Sequence, residues 1–279
     1  MRTWVVVVGF VGAGCTAQTG ELLSGPSDAG TPADAGTRTD AGLDAGIWDR
    51  GRDGGVDALA VLATFECVTT RRSGLGVELW RIDPLNAAIE STGLSASQGT
   101  MSSLAWQGDR VAGCPEFASE EDGMTFFDLA SGEVTEVPLV SACAAVSASS
   151  RGWAVVSSRP PVVTIYDDFE AVRQGRASDT RPLFVSRVGV FEDSIVGAWH
   201  ATDEVDVTTF DDPTVRALKL EGHDDWIKGL SPFPGGLLII AGLNTQELVA
   251  FDAWTGRVLH RVRINAGSID GLACRPRLR

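Results

Sequence analysis

The chain has 279 residues, with 23 Lys and Arg against 37 Asp and Glu, and a formal net charge of -14 at pH 7. So acidic a chain is repelled by nucleic-acid phosphates and by anionic lipid, and neither is expected as a partner. No Gly-x-Ser-x-Gly elbow, Walker loop, dinucleotide fingerprint or His-Glu-x-x-His occurs, so no cofactor and no metal is expected.

Residues 1–14 read as an export signal. Arg2 supplies one positive charge, Trp4 to Val11 is apolar apart from Gly9, and Gly12-Ala13-Gly14 leads into Cys15. The run is far shorter than the roughly 20 apolar residues that span a bilayer, and small residues follow it as they do at a cleavage point. Ala13-Gly14-Cys15 resembles a bacterial lipobox, which implies lipidation of Cys15 as the mature N-terminus. Thr16, not being Asp, implies by the same resemblance an outer-membrane lipoprotein. The alternative is an ordinary secretory cut near Ala17, with Cys15 incidental.

Residues 15–58 form the anchor and a tether. Asp-Ala-Gly recurs at 28–30, 34–36, 40–42 and 44–46, and between Thr16 and Trp48 only Leu22, Leu23, Leu43 and Ile47 are large and apolar. That surface cannot offset about 1–2 kcal/mol of chain entropy per residue, so disorder is expected. Some 40 such residues reach about 35 Å. Asp49, Asp53 and Asp57 lack the alternating oxygen ligands and closing Glu of a calcium loop and read as solvating.

Residues 59–279 are expected to be one β domain. Short apolar runs end in Asp83, Asp128, Asp167, Asp211 and Asp252, at intervals of 45, 39, 44 and 41 residues. Four of the five follow an aromatic: Phe127, Tyr166, Phe210 and Phe251. A recurrence near 42 residues marks β-propeller blades of four strands. The fullest unit runs from Leu220 to Leu259, with Gly222-His223, Ser231-Pro232, the apolar Leu237–Ala241, Phe251-Asp252 and Thr255-Gly256. It resembles a WD-repeat blade, with Phe251-Asp252 in place of Trp-Asp; a quinoprotein-like propeller is the second resemblance. The likeness implies a structural role for His223. Asp252 to Gly256 reads as a hairpin turn, since Asp hydrogen-bonds amides two residues on and Gly accepts positive φ.

Ahead of Asp83 stand two expected strands, Leu59–Phe65 and Val77–Ile82, but no inner one. Ser268–Cys274 is an orphan inner strand at the far end of the chain. The C-terminal strand therefore completes the first blade, giving a ring of about five blades with no exposed sheet edge. Beyond Cys15 lie Cys67, Cys114, Cys143 and Cys274, an even number in an exported chain. Four cysteines allow three pairings; Cys67–Cys274 would clamp the ring and Cys114–Cys143 would join neighbouring blades. Four buried free thiols are the alternative.

Inner strands are expected at 102–107, 143–148, 187–192, 226–231 and 269–274. They hold only Glu192 and Asp270 as carboxylates, poorly matched to the facing pair of a glycoside hydrolase. His200, His223 and His260 are scattered, and Trp153, Trp199 and Trp226 are expected to be packed between strands. The function expected is a monomeric, non-catalytic envelope module that binds another envelope protein through a propeller face, with loop residues such as Asp224 and Glu120-Glu121. A glycan-binding or glycan-cleaving propeller is the alternative.

Overall fold

A computed structural model describes residues 57–277, apart from 75, 98, 116–122, 158–161, 182, 184, 224 and 244–245. The signal segment, Cys15, most of the tether, Glu120-Glu121 and Asp224 lie outside the described residues.

The domain is all-β: five four-stranded antiparallel blades in a ring, a five-bladed β-propeller. The expected strand at Leu59–Phe65 is instead a short helix, α1 (Ala58–Leu62), followed by β1 (Phe65–Ser73). An apolar run of five residues carries no period to tell strand from helix. Asp57 decides it, because its carboxylate accepts from Leu59 N at 3.0 Å as an N-cap. Leu62, at the end of α1, is fully buried.

Blade 1 continues with β2 (Gly76–Ile82) and β3 (Ile89–Ala96). Blade 2 comprises β4 (Leu104–Gln107), β5 (Arg110–Gly113), β6 (Met124–Asp128) and β7 (Val134–Val137). Blade 3 comprises β8 (Ala145–Ser149), β9 (Gly152–Val156), β10 (Val163–Tyr166) and the three-residue β11 (Asp179–Arg181), with α2 (Phe169–Gln174) between the last two. Blade 4 is β12 (Arg187–Phe191), β13 (Ser194–Ala198), β14 (Glu204–Thr209) and β15 (Arg216–Lys219). Blade 5 is β16 (Ile227–Phe233), β17 (Gly236–Ala241), β18 (Glu247–Asp252) and β19 (Val258–Arg263), and β20 (Ile269–Pro276) ends the chain.

β20 pairs with β1 and becomes the inner strand of blade 1, in the order β20-β1-β2-β3. It also packs beside β4 and β16, so the inner strands close a ring. Cys67 and Cys274 stand opposite each other in this pairing, with Cα atoms 4.1 Å apart, and form a disulfide across 207 residues. Chain-entropy reasoning gives so long a loop more than about 4 kcal/mol. A second disulfide, Cys114–Cys143, ties blade 2 to blade 3.

Five apolar clusters fill the interior, one at each junction of neighbouring blades. The junction of blades 4 and 5 shows why: Leu237, Ile239 and Val249 face Val196, Val205 and Leu218, and all are buried. Leu238, Ile240 and Leu248 alternate to the other side and meet Phe65 and Cys67 of blade 1. A strand covered on both faces has to be continuously apolar, which is what Leu237–Ala241 is.

Three blades share one turn between their third and fourth strands. Asp252 Oδ1 accepts from Trp254 N (3.0 Å) and Thr255 N (2.7 Å), and Gly256 N donates to Asp252 O at 3.0 Å. Asp128 repeats this with Ala130 N and Ser131 N, both at 3.0 Å, and Asp83 with Leu85 N (2.9 Å) and Asn86 N (3.0 Å). The fifth residue lies at positive φ each time: Gly256 at 68°, Gly132 at 78° and Ala87 at 55°. Space decides the residue at Gly256, where a Cβ would come within 1.8 Å of Lys219 O. In blades 3 and 4 the work falls one residue later than the expected Asp167 and Asp211. Asp168 caps α2 through Ala171 N at 2.7 Å, and Asp212 accepts from Thr214 N at 2.9 Å. Asp211 instead pairs with Arg151 at 2.7 Å.

Candidate functional site

The inner strands all run the same way, from a loop end of the tunnel to a turn end, where those of blades 2 to 5 double back into their second strands. Their serines stitch neighbouring blades together. Val190 N donates to Ser147 Oγ at 2.9 Å, Cys274 N to Ser231 Oγ at 3.0 Å, and Ser149 Oγ to Glu192 O at 2.7 Å. At the loop end Ser102 Oγ lies 3.3 Å from both Ala144 O and Ser186 O. These small side chains are structural links across the axis.

The same bonds place the two tunnel carboxylates. Val190 and Cys274 occupy equivalent heights, since each takes a serine from the preceding blade. Asp270 is then four residues toward the loop end and Glu192 two toward the turn end. Six residues at ~3.3 Å each separate them by about 20 Å along the axis. Glycosidic cleavage needs carboxylates within about 5–10 Å of each other, so these two do not form such a pair. Asp270 is held by Lys228 at 3.4 Å, with both side chains about nine-tenths buried. Glu192 stands at φ 48°, where the matching hairpin of blade 2 has Gly108.

At the turn end a cavity of about 490 Å³ opens on the axis, lined by Trp106, Trp153, Phe191, Glu192, Arg275 and the Ser147–Ser150 segment. Arg275 is already engaged: its guanidinium lies 3.9 Å over the Trp106 ring and pairs with Glu66 at 2.5 Å and Asp109 at 3.5 Å.

The loop end carries a different feature. Trp199 and Trp226 were expected to pack between strands, but they are 36% and 38% exposed, whereas Trp153 is 5% exposed as expected. The reason is position: Trp199 follows the last residue of β13 and Trp226 precedes the first of β16, so both project from loops. His200 lies between them, its ring centroid 4.8 Å from Trp199 and 4.5 Å from Trp226. Backbone contacts fix the row. Ile227 N donates to His200 O at 2.9 Å, Ala201 bridges Trp226, and Gly242 N donates to Trp226 O at 2.8 Å. Gly242 brings up Leu243, itself 48% exposed. Trp199, Trp226 and Leu243 are three of the six large hydrophobic residues exposed among the described residues. Nothing in strand periodicity marks the two tryptophans; the signal available in the sequence was that each sits at a strand boundary.

The remaining candidates are structural in geometry. His223 is buried and meets Phe251 edge-on at 6.1 Å, and His260 Nε2 lies 2.6 Å from Leu85 O. Asp128 titrates at about 2, held down first by the Ser131 amide and then by Arg110. Among the described residues no cluster of His, Cys, Asp and Glu suited to a metal ion occurs.

No known family model matches the chain, and no curated protein matches it in sequence. Solved structures are similar in shape. A chain of a nidogen–laminin complex shares 8% identity at a TM-score of 0.48, covering 71% of this chain and 76% of that one. TolB from Acinetobacter baumannii shares 14% at 0.47, covering 75% and 54%. Kuenenia stuttgartiensis hydrazine synthase shares 15% at 0.42, covering 61% and 50%. This chain thus spans about half the length of the last two. The propeller itself is read from the sheet order and register of this chain.

Proposed function

We propose that this protein is a cell-envelope lipoprotein whose WD-like propeller serves as a non-catalytic protein-binding module, acting as a monomer. The observation that carries the reading is the fixed row of Trp199, His200 and Trp226 at the loop end, with the exposed Leu243 just after Gly242. Exposed apolar surface gathered on loops above a rigid scaffold is the usual build of an interaction face. Anchoring rests on Cys15 and the acid-rich tether, which would hold the ring away from the outer membrane. The test is cross-linking in intact envelope followed by purification of the lipidated protein. One envelope protein should co-purify with the wild type, be lost with Trp226→Ala, and remain with Glu192→Gln. Cys15→Ser should move the protein to the soluble fraction. Cleavage of an envelope polysaccharide that disappears with Glu192→Gln would replace this reading with a glycan-cleaving one.

A further inference from the structure

We propose that the Trp199–Trp226 row receives a basic segment of the partner, with an arginine or lysine side chain laid against the indole of Trp226. This rests on the protein-binding reading above and adds the chemistry of the partner.

Charge is the first argument. Asp225, next to Trp226, and Glu204, in the connection after Trp199, are exposed, Asp203 is half-buried, and the chain as a whole carries -14. Lys219 pairs with Asp203 at 3.3 Å and stands opposite Glu204 in the β14–β15 ladder, so the carboxylate beside Trp226 itself is Asp225. Lys228, two residues beyond Trp226, is turned inward onto Asp270 and Ser268 Oγ (3.0 Å) and contributes nothing to the surface. A cation approaching this end of the ring is attracted by the local carboxylates and by the net field.

The rings are the second argument. An aromatic face attracts a guanidinium or ammonium through its quadrupole, and Trp does so best. This chain already uses that chemistry: Arg71 covers Trp80 at 5.1 Å, Arg216 covers Trp254 at 5.1 Å, and Arg275 covers Trp106 at 3.9 Å. Among the described residues no Arg or Lys covers Trp226; His200 lies against it at 4.5 Å, and Asp225 precedes it in the chain.

A neutral sugar fits less well. It would stack on the same indole but gain nothing from the negative field, and the nearby carboxylate and hydroxyl are already partly used: Asp225 Oδ1 accepts from Trp226 N at 2.7 Å, and Thr202 Oγ1 from Glu204 N at 3.0 Å.

The probe is a blocked Gly-Arg-Gly-Arg-Gly peptide, titrated into the full chain in detergent at low salt while the indole NH signals are followed by NMR. Its counterpart has citrulline for arginine, which keeps the shape and removes the charge. The Trp226 signal should move with the arginine peptide. Affinity should fall about two- to fivefold with citrulline or with Trp226→Ala, as loss of one cation–π contact at an exposed site implies. It should also weaken as salt rises. Asp225→Asn, an exposed change that leaves every ring in place, should weaken it too. Equal binding of the citrulline peptide, or binding indifferent to both substitutions, overturns the proposal. So does a shift of the same indole by maltohexaose in the absence of any shift with arginine. In each case Trp226-dependent capture of an envelope protein still decides the protein-binding reading separately.

Discussion

Blades 3 and 5 contain the same four strands but are held together differently. Blade 5 has strands of six and seven residues, and β16 and β17 are buried throughout. Its turn is the Asp252–Gly256 unit, closed by its own Asp252, although Arg216 of blade 4 also donates to Ala253 O at 3.0 Å. Blade 3 ends in a strand of three residues, reached through α2. What α2 and β11 fail to supply by pairing, one buried side chain replaces. Arg181 is 1% exposed and donates to Phe210 O at 2.5 Å and Thr209 O at 3.3 Å, with Asp179 beside it. These carbonyls belong to the end of β14, so a single guanidinium couples the outer edge of blade 3 to blade 4. A blade can thus be fixed by its own hydrogen-bond ladder or by its neighbour.

Two substitutions break that contrast from either side. Gly256→Ala should have the larger effect, because a Cβ there meets the Lys219 carbonyl as well as adopting positive φ. Backbone displacement and the left-handed penalty together suggest about 3 kcal/mol, read from urea unfolding. Gly132→Ala supplies the control: φ is equally positive but nothing lies within 4 Å, so only about 1 kcal/mol is expected. Arg181→Met keeps the bulk of the side chain and removes its donors, leaving the Thr209 and Phe210 carbonyls without them. A loss of about 2 kcal/mol is expected, with hydrogen exchange rising first in β11 and at the end of β14. Exchange rising evenly across all five blades would show that the guanidinium does not act locally.

The turn that blade 2 shares with blade 5 gives the smallest effect, visible only in acid. The Asp128 carboxyl is lowered from 3.8 to about 2 by the Ser131 amide and Arg110. A depressed carboxyl contributes stability that is full above its unfolded value and lost as pH falls through the folded one. Wild type should therefore lose this contribution between about pH 4 and pH 2. Asp128→Asn should flatten stability over that interval, as measured by thermal unfolding at each pH.

Much of the ring was legible before any coordinates. The 42-residue recurrence of Asp behind an apolar run reports one turn per blade, and the orphan strand before Cys274 reports closure, because a propeller cannot leave a strand edge open. The pairing Cys67–Cys274 followed from that closure, and the structure has both expected disulfides. Local chemistry misled where two conformations share a pattern. Ala58–Leu62 is apolar in either state, and the cap from Asp57 made it a helix. Tyr166-Asp167-Asp168 offered two aspartates, and the one whose carboxylate reaches the Ala171 amide became the cap.

The sequence by itself determined the number of blades, the closure of the ring and the turns of blades 1, 2 and 5, since the recurrence of Asp along the chain and the orphan strand before Cys274 report them. Only the tertiary structure decided that Trp199, His200 and Trp226 form one exposed row while Glu192 and Asp270 stand at opposite ends of the tunnel. Those relations join residues from different blades, and they depend on the stagger between inner strands. No local period records that stagger; it is fixed only when the serines of one blade bind the amides of the next.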